Sequence, residues 1–178
     1  IDPLFLPVWQ AIDEIKLPVL LHPTAPYGSK QINFAKERIL MPGAGFMFDT
    51  TLALSRMLLN GFFERFTNLK IIASHGGGFL PFIHGRIDVF FDEETLVKMP
   101  VTMKPSEYLE ERIFYDAIVY DKGALDLLIQ VAGPEKVMFG TDQPMPNDVP
   151  KLKDIIESRP ANEHEPILSS NAQRMFNL

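Results

Sequence analysis

Three side chains that can bind a metal ion or carry a proton close three short apolar segments of the chain: His22 ends LPVLLH, His75 ends LKIIASH and Asp142 ends KVMFGTD. An imidazole offers a neutral nitrogen to a divalent cation or moves a proton near neutral pH, and a carboxylate supplies the anionic oxygen that such a site needs. The chain has four histidines and no cysteine, which excludes a thiolate nucleophile, a thiolate metal site and a disulfide framework. Any metal must therefore sit on histidine and carboxylate. Each residue also has a structural role open to it, the histidines as hydrogen-bonded core residues and Asp142 as the cap of a turn in GTDQP. Their joint placement at the ends of three similar segments is what favours a site.

Gly76, Gly77 and Gly78 follow His75 directly. Lacking Cβ atoms, they let the backbone adopt positive φ and pass close to a ligand, while His75 projects into the space they leave. A tight strand-to-helix turn is the other use of such a run, and its spacing does not match the G-x-G-x-x-G of a dinucleotide site. His84 in FIHGRID reads as a surface or packing residue, and His164 in ANEHEP as a solvated one. Arg86 falls on the helix leaving the glycines, where it can meet a substrate carboxylate or form a surface ion pair.

The elements that must position these residues follow an α/β pattern. Near-continuous apolar runs at 17–22, 69–75, 113–119 and 136–142, separated by helix-like stretches, predict a parallel sheet buried on both faces. Active groups on such sheets collect at the carboxyl ends of the strands, where loops and helix N-termini open. Period-two alternation sets His22 with Leu20, His75 with Ala73 and Ile71, and Asp142 with Gly140 and Met138, and so predicts that all three point into one mouth. One helix, LFLPVWQAIDEIK, precedes the first strand. A second is expected from an N-cap at Asp49–Thr50, with Leu54, Met57, Leu58 and Phe62 as its apolar stripe. A third opens at Asp121, carries Leu125, Leu128, Ile129 and Ala132 on one side, and stops at Gly133–Pro134; a last one lies within ILSSNAQRMFNL. Residues 23–48 and the segment MPNDVP are looser. The first is long for a sheet connection and is expected to be functional or partly disordered.

Composition fits one globular domain over residues 1–178, with 46% hydrophobic and 22% charged residues. The length falls short of the roughly 250 residues of a complete eight-stranded α/β barrel. A formal charge of −6 without a Lys/Arg cluster argues against nucleic-acid binding. No run of 18 apolar residues suits a membrane span, and IDPLFLPVWQ lacks the basic region and long apolar core of a signal peptide. The absence of cysteine fits a cytoplasmic location, which is expected.

Taken together, LPVLLHP, LKIIASHGGGFLPFIHGRID, ERIFYDAIVYDKGALDLLIQVAGPEKVMFGTDQP and ILSSNAQRMFNL resemble successive segments of the amidohydrolase-2 family of metal-dependent enzymes. The likeness is strongest to its 2-amino-3-carboxymuconate-6-semialdehyde decarboxylase-like group. His-Gly-Gly-Gly and Gly-Thr-Asp-x-Pro, in that order and separation, carry most of it. The resemblance implies a (β/α)8 TIM-barrel-like fold, of which residues 1–178 hold the last four strands and their helices as a carboxyl-terminal part. It implies that His22 ligates a divalent metal, usually Zn2+, and that Asp142 is the carboxylate ligand or the partner of the water beside the metal. His75 is then the catalytic acid/base, and Arg86 reaches a substrate carboxylate across a dimer interface.

The implied activity is decarboxylation of a small unsaturated or aromatic carboxylic acid by a homo-oligomer. Hydrolysis of a lactone or amide, or hydration, would use the same parts. Two departures stand out. The chain has no His-x-His, the motif from which the family takes two further ligands, and it has His-Pro-Thr where several decarboxylases have His-Pro-Trp. A reading of another class follows from the first departure: a non-catalytic half-barrel, whose open sheet edges and apolar inner face would dimerise, aggregate or bind a hydrophobic dye.

Overall fold

A computed structural model describes residues 2–26, 28–31, 33–93, 100–145 and 148–178. Strands β1 (Val19–Leu21), β2 (Ile71–Ala73), β3 (Ile113–Asp116) and β4 (Val137–Met138) form one parallel sheet in the order β1-β2-β3-β4. Val19 pairs with Ile71, Ile71 with Ile113, and Tyr115 with Val137. Each strand adds beside its predecessor, the order of an α/β barrel; a doubly wound sheet reverses its order partway. The strands are shorter than the apolar runs that predict them. Beyond Met138, for example, Phe139 donates its N–H to Ile167 of the closing segment and no longer extends the ladder.

The helices are α1 (Leu6–Ile15), α2 (Phe34–Glu37), α3 (Phe46–Leu59), α4 (Phe62–Arg65), α5 (Leu80–Glu93), α6 (Pro105–Glu111), α7 (Lys122–Ala132), α8 (Val149–Glu157), α9 (Ala161–Glu165) and α10 (Asn171–Phe176). Helix α7 follows its expected chemistry at both ends. Asp121 Oδ1 accepts the Ala124 N–H at 2.9 Å, Gly133 stops the helix, and Leu125, Leu128, Ile129 and Ala132 are buried. Helix α3 starts earlier than expected. A wide turn over Met41–Gly45 leads straight into Phe46, with Pro42, whose φ is preset to helical values, near its start. Asp49 is therefore in the first turn and not a cap, where its charge still meets the positive end of the helix. Leu54 and Leu58 are buried on α3, and Phe62 is buried on α4 after a break at Asn60–Gly61.

The main core lies between the sheet and these helices. Ile71, Ala73, Ile113, Tyr115 and Val137 meet Leu54, Leu58, Leu80, Leu125 and Leu128 there, and Trp9 of α1 packs edge-on against Phe62 with ring centroids 5.1 Å apart. Each fully buried Leu or Phe in such a layer contributes about 1.5–3 kcal/mol. The opposite face is thinly covered. Met175 and Ala172 of α10 pack on Ile72, Met138 and Phe114, but Leu20 is 61% exposed. No helix among the described residues is long and apolar enough to cross a membrane.

Candidate active site

Ile71 and Ala73 face the helices, so strict alternation would send His75 to that side, away from the concave face that carries Leu20 and Ile72. His75 reaches the expected mouth by a different route from alternation. The strand ends at Ala73, Ser74 stays extended, and His75 adopts a left-handed backbone with φ 55°. Gly76, Gly77 and Gly78 continue with φ of 61°, 76° and 66°. This path requires glycine for space as well as for dihedral freedom. A Cβ would lie 2.5 Å from Val119 at Gly76, 2.8 Å from Tyr115 at Gly77 and 2.4 Å from the Met47 carbonyl at Gly78. The glycines thus build the turn that presents His75.

Two buried polar residues that the sequence reading passed over fasten this turn. Thr51 of α3 accepts the Phe79 N–H on its hydroxyl and donates to the Met47 carbonyl, both at 2.7 Å. Asp116, the last residue of β3, accepts the N–H groups of His75 and Gly76 at 2.9 Å and of Ile118 at 3.0 Å. Burial pushes the Asp116 carboxyl up from the ordinary carboxylate range, and its amide donors pull it back.

With that turn in place, His22, His75 and Asp142 converge as expected: one ligand atom from each lies within 4.8 Å of the others. His22 Nε2 is 3.4 Å from Asp142 Oδ1, and His75 Nε2 is 3.6 Å from Asp142 Oδ2. Asp142, like His75, has a left-handed backbone, φ 54°. His22 Nδ1 lies 2.7 Å from the Pro23 carbonyl. A carbonyl only accepts, so Nδ1 carries a proton and Nε2 is the ring nitrogen turned toward Asp142. Nε2 and Oδ1 lie 3.4 Å apart, so one cation can reach both. Two imidazoles and a carboxylate are a suitable donor set for a divalent metal. His22 is 41% exposed and His75 only 9%, so a ligand from solvent meets His22 first.

Below the donors, a cleft of about 480 Å³ is lined by Leu20, Ile72, Ser74, Met138 and Gly140 together with His22 and Asp142. The 23–48 connection sets Phe46 against the two histidines. Its ring lies nearly parallel to His75, 6.5 Å between centroids, and 6.3 Å from His22 at 62°. An aromatic residue opening an apolar helix was the available signal for Phe46.

Arg86 does not line this cleft. It is exposed on α5, with its guanidinium 4.9 Å above the Phe90 ring. His84 packs as expected, its Nδ1 2.9 Å from the Pro81 carbonyl. His164 is half-buried with Nδ1 2.8 Å from the Arg159 carbonyl, and so is tied to the chain where a solvated residue was expected. The segment MPNDVP lies partly outside the described residues.

A family model described as amidohydrolase matches residues 2–178. The 2-amino-3-carboxymuconate-6-semialdehyde decarboxylase of Dictyostelium discoideum is 31% identical over 182 residues, covering 99% of this chain and 49% of that protein. Two solved structures share the architecture. The 5-carboxyvanillate decarboxylase LigW from Sphingomonas paucimobilis matches with a TM-score of 0.84 at 34% identity, over 99% of this chain and 54% of its own. The dihydroxybenzoic acid decarboxylase from Polaromonas sp. JS666, with bound manganese and the inhibitor 2-nitroresorcinol, gives a TM-score of 0.84 at 28% identity, over 97% of this chain and 53% of its own. The chain spans about half the length of these relatives. With the family match running from residue 2 to residue 178 and the parallel sheet shared with these structures, the chain belongs to the amidohydrolase family.

Proposed function

We propose that residues 1–178 form the carboxyl-terminal part of an α/β barrel enzyme that decarboxylates a small unsaturated or aromatic carboxylic acid with the help of a divalent cation, Zn2+ by preference. The observation that carries the reading is the convergence of one possible ligand atom each from His22, His75 and Asp142 within 4.8 Å of one another. His22 and Asp142 would hold the cation, which supplies Lewis acidity toward a substrate oxygen. The thin cover on the concave face, with Leu20 at 61% exposure, supports the half-barrel part of the reading.

Within this scheme the chain's own residues do three things. Phe46, Ile72 and Met138 offer apolar contact to the flat body of a substrate and keep water from its reacting carbon. His75 Nε2, held near Asp142, delivers a proton to that carbon. The carbon–carboxylate bond then breaks, CO₂ leaves, and the electron pair it leaves behind restores the unsaturated system.

Arg86 enters through a second copy. Phe82, Arg86 and Phe90 follow one another at four-residue spacing on α5, Phe82 at 78% and Phe90 at 56% exposure, and form an apolar stripe with a cation in it. Two copies joined on this stripe would bury it and bring Arg86 toward the partner's substrate carboxylate, so we read the protein as a homo-oligomer. The test is CO₂ release from a panel of aromatic and unsaturated acids beside lactone hydrolysis, with metal content measured on the same preparation. Release of CO₂ dependent on about one equivalent of metal supports the reading. Lactone hydrolysis without CO₂ release overturns it in favour of a hydrolase.

A further inference from the structure

We propose that Asp116 is a positioning residue for His75: its carboxylate grips the two successive amides that set the imidazole over the site. The proposal rests on the reading of His75 as the proton carrier. Oδ2 of Asp116 accepts the His75 N–H and Oδ1 the Gly76 N–H, both at 2.9 Å, and Oδ1 also takes the Ile118 N–H at 3.0 Å. The side chain is 7% exposed, so water competes little for these bonds.

What it grips is the point where the chain departs from ordinary backbone. His75 has a Cβ and still holds φ 55°, a region that costs a side-chain-bearing residue energy and persists only when its surroundings enforce it. Relaxation to an extended or helical backbone would take the imidazole away from His22, whose ring centroid is 5.0 Å distant, and from Asp142. Both oxygens of one side chain accept from this segment, so relaxation would break two hydrogen bonds together. The fold makes room for this carboxylate at Gly140, where a Cβ would come 3.2 Å from the Asp116 Cβ. These hydrogen bonds run to backbone amides and not to the ring, so through them Asp116 acts on the imidazole by where it sets the chain.

The test is nuclear magnetic resonance on the labelled protein, comparing wild type with Asp116→Asn, a variant of equal size whose amide nitrogen cannot accept. Wild type gives a cross-relaxation peak between the His22 and His75 ring protons. In Asp116→Asn that peak is lost while methyl contacts of the Leu54–Leu58 core persist. In the whole enzyme, kcat falls about a hundred-fold, the scale of a misplaced group, with KM unchanged, and the same substitution has no further effect on kcat in a His75→Ala background. A His22–His75 peak that survives Asp116→Asn, or an equal rate loss in both backgrounds, overturns the proposal and leaves Asp116 a filler of a turn. Should Asp116→Asn fail to fold, Gly140→Ala, which presses a methyl group on Asp116, is measured in its place. Weakening of the peak there supports the proposal, and an unchanged peak overturns it. The ring-to-ring peak does not depend on turnover. A wild type that releases no CO₂ therefore counts against the proposed function alone.

Discussion

His22 and His75 face each other with ring centroids 5.0 Å apart and planes at 66°, although they leave neighbouring strands by different routes. His22 follows β1 directly, while His75 reaches the same mouth through a left-handed turn. The shared partner is Asp142, whose two oxygens lie 3.4 and 3.6 Å from the facing nitrogens.

The proposed function gives the three different roles. Under it, Asp142→Asn and His22→Ala each remove a metal ligand and should weaken metal binding beyond the roughly 10- to 100-fold that follows loss of a group merely supporting a ligand. His75→Ala should keep its metal. Equilibrium dialysis with plasma mass spectrometry reads all three. If His75→Ala loses metal as fully as Asp142→Asn, His75 belongs to the ligand set and the proton carrier must be sought elsewhere.

The glycines of the His75 turn give a paired stability prediction. Gly78 combines φ 66° with ψ −126°, and a Cβ there would meet the Met47 carbonyl at 2.4 Å. Gly78→Ala should cost about 3 kcal/mol or more from strain and overpacking together. Gly85, exposed on α5 with nothing within 4 Å of an added Cβ, is the opposite case. Gly85→Ala should gain about 0.5–1 kcal/mol by restricting the unfolded chain. Urea unfolding of the two variants against wild type measures both signs.

These contrasts also show which features the sequence made legible. The caps of α7 depend on residues a few positions apart, Asp121 with Ala124 and Gly133 after Ile129, and local chemistry is enough to read them. His22, His75 and Asp142 were legible as the polar ends of apolar runs. The route of His75 was not, because alternation holds only while the chain stays extended, and positive φ at residue 75 breaks it. The glycine triplet was the sign of that break. Asp116 hid inside an apolar run, IFYDAIV, where the strand ends sooner than its hydrophobicity does. A carboxylate so enclosed was itself the signal, since burial of an acid demands the donors that the glycine turn provides.

The stripe on α5 carries a prediction about assembly. If Phe82, Arg86 and Phe90 lie between two copies, Phe82→Glu places a charge in an apolar contact and should shift sedimentation from dimer toward monomer. Arg86→Ala should leave the assembly intact and raise KM if the guanidinium meets the substrate carboxylate as proposed. A Phe82→Glu protein that sediments like wild type puts the interface, if there is one, on another surface.

Tyr115 gives the last test, on stability against pH. Its side chain is fully buried under the His75 turn, and its hydroxyl has no hydrogen-bond partner among the described residues. Burial pushes its phenol up from 10.0. The folded protein therefore holds a proton that the unfolded chain releases, so this contribution is complete below about pH 10 and is lost as pH rises toward the folded value. Tyr115→Phe removes both the titration and the unmet hydroxyl. It should gain about 1 kcal/mol at neutral pH, because no desolvated donor remains, and its stability should fall less steeply above about pH 10. Tyr108 and Tyr120, whose phenols burial also raises, are present in both proteins and cancel in the difference. Thermal melts across the alkaline range provide the comparison. Parallel curves for the two proteins would mean that the Tyr115 hydroxyl has solvent or a partner within reach.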